Sequence, residues 1–320
     1  MTTLRTAVVG VGYLGRFHAE KLASMPGVRL VAVADSNPER AQAIASAHGC
    51  EAHADYRALL GAVDAACVVV PTEMHHAVAS DFLRAGAHVL VEKPIARTLA
   101  EADDLVALAR ARGRVLQVGH LQRFNPAFRA LERSIGRPIF IETERLAPFK
   151  QRGVDVDVVL DLMIHDLDLV LTMTKNDPTS VSACGASVMT DSIDLANARL
   201  EFADGCVANL SASRASQGAV RKLRAFHADG YLSADLQAGR LRLVKRGAAP
   251  GDMEQEEVAF DERDELRAEI EAFVAAIAGR GPALVSGDDG RRALALALDI
   301  GRLVRERAAR FARASREAAP

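Results

Sequence analysis

Apolar residues follow two patterns along this chain. Through the first 120 positions they form short unbroken runs, chiefly Thr6–Val9, Val28–Ala34, Ala65–Val70, His88–Val91 and Val115–Val118. Runs of this length, rich in β-branched residues, predict strands buried on both faces. Helical spacing fills the gaps between them: Tyr13 to about Met25, a helix opening near Pro38, His75 to Arg84, and Leu99 to Arg112. Pro38 suits a first helical turn, where its missing N–H costs nothing. Glu51-Ala52-His53 predicts an edge strand, and Asp55 a cap for a short helix ending near Leu60. Regular strand–helix alternation implies right-handed crossovers and a parallel sheet with helices on both faces.

After His120 the period changes. One helix is expected near Pro126 and another between Val156 and Thr172, and the remainder is strand-like. The clearest pair, Leu195 to Phe202 and Cys206 to Arg214, is joined through Ala203-Asp204-Gly205, and Asp-Gly is a hairpin signal. Strict alternation puts Ala196, Ala198, Leu200, Phe202, Cys206, Ala208, Leu210 and Ala212 on one face. Asn197, Arg199, Asn209, Ser211 and Ser213 lie on the other. Further strands are predicted at Leu223 to Ala228, Tyr231 to Leu236 and Arg240 to Lys245, as in an antiparallel sheet. Helices return at about Glu262 to Ile277 and Gly287 to Arg313. The arginines of the last helix are expected to form a solvated face.

Composition narrows the class. Of 320 residues 49% are hydrophobic and 26% charged, enough for the core of a two-domain globular chain. A formal net charge of -2 favours neither a nucleic-acid surface nor a polybasic membrane patch. Cys50, Cys67, Cys184 and Cys206 are scattered without a C-x-x-C pair, which argues against a thiolate metal site or a disulfide scaffold. No apolar run approaches the ~18 residues of a membrane span, and the first strand begins almost at once, so a cytoplasmic protein without a signal peptide is expected.

The candidate chemistry begins where the first strand ends. Gly10-Val11-Gly12-Tyr13-Leu14-Gly15 is a Gly-x-Gly-x-x-Gly turn opening a helix. Gly10 permits the tight turn, Gly12 the approach of a pyrophosphate, and Gly15 close packing of helix on strand. Asp35 closes the second strand, where a ribose-binding carboxylate belongs. Together these predict a dinucleotide-binding domain over 1–121, followed by a substrate-binding and oligomerisation domain over 122–320. A lone glycine-rich turn would be weak evidence; motif, strand, helix and acid agree here.

Three further groups stand out. Glu92-Lys93-Pro94 lies at the carboxyl end of a parallel strand, where ligands of open α/β sheets bind. A lysine there can stabilise negative charge growing on a substrate oxygen; alone it reads equally as a surface lysine paired with Glu92. Pro71-Thr72 and His75 follow a buried strand at the same edge, as candidates for cofactor contact or, for Thr72, helix capping. Asp161 and His165 are four apart in a predicted helix, so a carboxylate can orient a general base, although a satisfied core histidine fits as well. No third ligand at a recognisable spacing supports a metal there.

As an ordered set, the glycine turn, Asp35, Pro71-Thr72 with His75, Glu92-Lys93-Pro94, and Asp161 with His165 resemble the glucose-fructose oxidoreductase/inositol dehydrogenase/rhizopine-catabolism (Gfo/Idh/MocA) family. The resemblance covers essentially the whole chain. It implies a Rossmann domain followed by an α+β domain with a large, mostly antiparallel open-faced sheet. It also implies bound NAD or NADP, sugar or polyol substrates, and a homodimer or homotetramer. The family's catalytic lysine falls on Lys93, and its aspartate and histidine on Asp161 and His165. Gly10, Gly12, Tyr13, Leu14, Gly15, Asp35, Pro71, Thr72, His75, Glu92 and Lys93 are then expected at the cofactor. Many members carry a glycine two residues before that histidine; this chain has Met163, so pocket shape there is expected to differ. The stretches Gly119–Pro126 and Ala147–Gly153 are similar to nucleotide-sugar dehydrogenases of the family, nearest those that act on C3 of UDP-N-acetylglucosamine, a step towards amino-modified lipid A. A sugar diphosphate gives Arg123, Lys150 and Arg152 a role beside Lys93, Asp161 and His165 in substrate binding, since arginine can grip phosphate with two donors; each also reads as a solvated loop charge. NAD is expected over NADP because Asp35 repels a 2′-phosphate, with Arg40 opposing. The rival readings are another sugar or polyol dehydrogenase, an NAD-dependent hydrolase or epimerase that oxidises transiently, and a non-catalytic dinucleotide sensor.

Overall fold

The computed structural model of the chain describes residues 3–149, 156–249, 251–261 and 264–317. Its two compact units comprise Met1–Leu121 with Asp264–Leu294, and Gln122–Arg263 with Ala295–Pro320.

In the first unit β1 (Leu4–Val9), α1 (Gly15–Ala23), β2 (Val28–Ala34), α2 (Pro38–His48) and β3 (Glu51–His53) follow in order. A 3-10 turn, Tyr56–Leu59, leads to β4 (Ala65–Val68), α3 (Thr72–Arg84), β5 (His88–Glu92), α4 (Leu99–Ala111) and β6 (Leu116–Gly119). The parallel sheet has the order β3-β2-β1-β4-β5-β6. Strand order therefore reverses between β1 and β4, which opens a crevice at the carboxyl ends of those strands. Of the two predicted caps, Asp55 forms and Thr72 does not. Asn37 accepts from the Arg40 N–H before Pro38, Asp55 accepts from Arg57, and Thr98 with Glu101 forms a reciprocal capping box. Thr72 does not cap α3; it is the first helical residue, after Pro71.

One segment joins this unit from far along the sequence. The helix Glu265–Ile277, expected in the second domain, sets Ile270 and Phe273 into the core formed by Val8, Ala19, Leu22, Val33 and Leu90. Period alone shows that such a helix has an apolar face, not which sheet it covers.

The second unit begins with the 3-10 turn Leu121–Phe124, α5 (Pro126–Ile135) and β7 (Phe140–Leu146). A π-helical turn, Val159–Met163, runs into α6 (Ile164–Thr174). Seven strands follow: β8 (Ser180–Ala186), β9 (Leu195–Glu201), β10 (Val207–Ser213), β11 (Val220–His227), β12 (Gly230–Asp235), β13 (Arg240–Arg246) and β14 (Met253–Ala259). The sheet order is β14-β13-β12-β11-β7-β10-β9-β8. The predicted hairpin is β9–β10, antiparallel, and its eight apolar-face residues are all buried. β7 is parallel to β10 and antiparallel to β11, so the earliest strand sits mid-sheet. The long helix after α7 (Glu265–Ile277), α8 (Gly287–Glu317), runs from the first unit into the second. No helix among the described residues is long and apolar enough to cross a membrane.

Candidate active site

In the first unit the candidate residues lie at the carboxyl edge of the parallel sheet. Gly10 has φ +84, and a Cβ there would lie 2.5 Å from the Val69 carbonyl oxygen. A Cβ on Gly15 would meet the Gly10 carbonyl oxygen at 1.8 Å, so α1 reaches this depth only without a side chain. At Gly12 the nearest atom to an added Cβ is Arg40 Nη1 at 3.8 Å, leaving the turn open. No side chain caps the start of α1, and Tyr13 and Leu14 are exposed. A backbone cradle at a helix N-terminus, open on one side, fits a diphosphate.

Asp35 is buried at the end of β2. Its carboxylate accepts the Val11 N–H at 2.9 Å and the Asn37 N–H at 2.9 Å, and meets Arg40 Nη1 at 3.4 Å. A carboxylate has about four lone-pair sites, which leaves capacity for a ribose hydroxyl. Arg40 partly neutralises the charge that would repel a 2′-phosphate.

After β4, Pro71 and Thr72 sit at the surface of the same edge, but the His75 ring is buried. Its Nδ1 faces the Pro94 carbonyl at 2.8 Å and its Nε2 the Val70 carbonyl at 2.9 Å. Burial pushes the histidine below its ordinary pKa, against the backbone carbonyls that favour its charge. The neutral ring has one N–H and donates to one carbonyl at a time. His75, an expected cofactor contact, therefore lies behind the two loops with its ring against their backbone carbonyls.

Glu92 ends β5, and the Lys93–Pro94 peptide is cis. Glu92 Oε2 accepts the Lys93 N–H at 3.3 Å, and Oε1 lies 3.1 Å from His18 Nε2 of α1. Burial opposes the Glu92 charge, but His18 and Lys93 outweigh it and hold the carboxyl below its usual range. The backbone root of Lys93 is thus tied to a carboxylate that is tied in turn to the cofactor helix. Neither His18 nor this link carried a signal in the sequence beyond its helical position.

A separate group of candidate residues belongs to the other unit. Asp157 opens the π turn by accepting the Val159 and Leu160 N–H groups at 3.1 and 3.0 Å. Asp161 falls inside that turn and His165 in the first turn of α6. The helix expected here is therefore locally wound with i→i+5 bonds, which still brings residues four and five apart to one side. Both side chains are half-buried, while Met163 is fully buried in the core. Two buried ion pairs anchor the element: Arg145 of β7 grips Asp166 at 2.9 and 2.7 Å, and Arg123 grips Asp168 at 2.8 and 3.2 Å. Arg123, an expected substrate contact, thus sets its two-donor edge against Asp168. Lys150 and Arg152 lie outside the described residues.

Both units have counterparts in known proteins. A family model described as "Oxidoreductase family, NAD-binding Rossmann fold" matches residues 4–120, and "GFO/IDH/MocA C-terminal domain" matches 132–233. The chain belongs to the Gfo/Idh/MocA oxidoreductase family. As such it is an oxidoreductase acting on CH–OH groups, and its first unit is a nicotinamide-dinucleotide-binding Rossmann domain. It is 45% identical to UDP-N-acetylglucosamine 3-dehydrogenase of Acidithiobacillus ferrooxidans over 94% of this chain and 97% of that protein. A crystal form of that enzyme superposes with a TM-score of 0.90 at 44% identity, covering 95% of this chain and 98% of the other. Inositol 2-dehydrogenase of Rhizobium meliloti is 31% identical over 95% of this chain and 98% of its own length.

Proposed function

We propose that this Gfo/Idh/MocA protein is an NAD-dependent sugar dehydrogenase that oxidises C3 of UDP-N-acetylglucosamine to the 3-keto sugar. The observation that carries this reading is the 45% identity to a UDP-N-acetylglucosamine 3-dehydrogenase across nearly the whole of both chains. The glycine turn holds the cofactor diphosphate, Asp35 the adenosine ribose, and the loops after β4 and β5 the nicotinamide end. The bound nicotinamide supplies the hydride acceptor. His165 takes the proton of the substrate hydroxyl while Asp161 orients the ring. Lys93 stabilises the negative charge that develops on the oxygen. Lys150 and Arg152 meet the sugar diphosphate. The enzyme works as a homodimer or homotetramer in the cytoplasm.

The test is a panel of UDP-sugars and free polyols mixed with NAD or NADP, followed by absorbance of the reduced nicotinamide. UDP-N-acetylglucosamine with NAD should give the highest kcat/KM and stoichiometric reduced cofactor. Turnover of sugar without net reduction would point to transient oxidation by a hydrolase or epimerase. Equal or better kcat/KM with NADP would overturn the assignment of Asp35, and no turnover with any sugar would overturn the enzymatic reading of the site.

A further inference from the structure

Beneath the Lys93 loop lies a cluster that the proposed reaction does not use. Glu269 of α7 is fully buried, and neither of its carboxyl oxygens has a hydrogen-bond partner. One ligand atom each from Glu269, Glu92 and His18 lies within 4.8 Å of the others. The backbone around it is firmly placed: the Gln117 side-chain amide of β6 donates to the Glu269 carbonyl at 2.9 Å. Gly119, also of β6, makes room for the Glu92 carboxyl, because a Cβ there would lie 2.9 Å from Glu92 Oε2.

We propose that Glu269 is a positioning residue for Lys93, acting through the partly exposed Glu92 from the buried side of the His18–Glu92–Glu269 cluster; this rests on the reading of Lys93 as the charge-stabilising residue. Two ionised carboxylates this close, one fully buried and the other only slightly exposed, would repel with little water to screen them. One of them must be neutral. Glu92 is stabilised as the anion by His18, the Lys93 charge and the Lys93 N–H. Burial, with the Glu92 charge added, pushes Glu269 well above the usual carboxyl range. Glu269 therefore holds the proton and Glu92 the charge. The other ionisable groups facing the pair are the Cys67 thiol of β4, which burial and the two acids raise so that it stays neutral, the buried His75 of α3, which burial holds below its ordinary pKa, and Lys93 itself. With Glu269 neutral, Glu92 keeps its hold on the Lys93 backbone. When Glu269 ionises, repulsion loosens Glu92 and the loop it anchors.

The sign of the pH dependence follows. A carboxyl with a higher pKa folded than unfolded contributes stability that is complete below the unfolded value and is lost as pH rises through the folded one. Wild-type Tm and kcat should therefore both decline on the alkaline side. Glu269→Leu should lower kcat by about tenfold or more, the scale at which small misplacements act, with less change in KM for NAD. Glu269→Gln keeps the shape without the ionisation, so it should restore most of that loss and flatten the alkaline decline in both Tm and kcat. The measurements are Tm, kcat and KM from neutral to alkaline pH on the full-length protein, with elemental analysis of the purified wild type. An unchanged alkaline dependence in Glu269→Gln, a flattened Tm profile with no change in the kcat profile, or a stoichiometric metal ion at the cluster would each overturn the proposal. A Lys93→Ala control separates the two readings: normal turnover there removes the role of Lys93, whereas the Tm profiles still report where the proton resides.

Discussion

At the scale of single residues, the first unit is shaped by what cannot be there. Gly10, Gly15 and Gly119 each stand where a Cβ would collide with a backbone or carboxyl oxygen. The first two were legible, because the motif spacing states their job. No motif spacing states the job of Gly119, since the atom it accommodates belongs to Glu92, 27 positions earlier. Lys93 was legible from its place at a strand end; its fixation through Glu92 and His18 was not. If its charge acts mainly in the transition state, Lys93→Ala should lower kcat by roughly 10²-fold and leave NAD affinity nearly unchanged. His165→Ala should remove most turnover with little change in Tm. A folded His165→Ala enzyme with wild-type kcat, judged by parallel kinetics and melting curves, would make the histidine structural.

At the scale of elements, alternation in β9 and β10 identified both faces of the hairpin, because a half-buried strand writes its orientation into every second residue. The loop before β9 is held by one side chain that no pattern marked. Asp194, between β8 and β9, accepts the N–H groups of Val188, Met189 and Thr190 at 2.8, 2.7 and 2.8 Å, and the Thr190 hydroxyl at 2.7 Å. Burial works against its charge, but these donors outweigh it and hold the carboxyl at about 2. Because the folded pKa is depressed, the stability it contributes is present above the ordinary carboxyl value and is lost as pH falls through about 2. Asp194→Asn should melt below wild type at neutral pH, and the gap should close as the solution is acidified towards pH 2. Melting curves across that range check it, and a gap independent of pH would show that the charge contributes nothing. In the π turn, by contrast, the four-residue spacing of Asp161 and His165 gave no sign of the wider winding.

At the scale of the whole molecule, the open question is assembly. The polar face of the second-unit sheet, with Glu142, Glu144, Lys222, Arg224, Arg242 and Glu257, lines a hollow of about 510 Å³. Arg224 pairs with Glu142, and Arg242 with Glu257, across neighbouring strands. A dimer or tetramer should appear in analytical ultracentrifugation at micromolar concentration, and a monomer there would remove the expected homo-oligomer.

The sequence by itself determined the parallel sheet, its dinucleotide turn, the hairpin faces and the candidate residues at strand ends, because each is written in short-range period or spacing. Tertiary structure alone decided which unit receives α7, where β7 enters the sheet, and that Arg123 belongs to Asp168. It also decided that Glu269 lies beside Glu92 and His18. These are pairings between residues far apart in the chain, set by which apolar faces close together, and local periodicity carries no record of its partner.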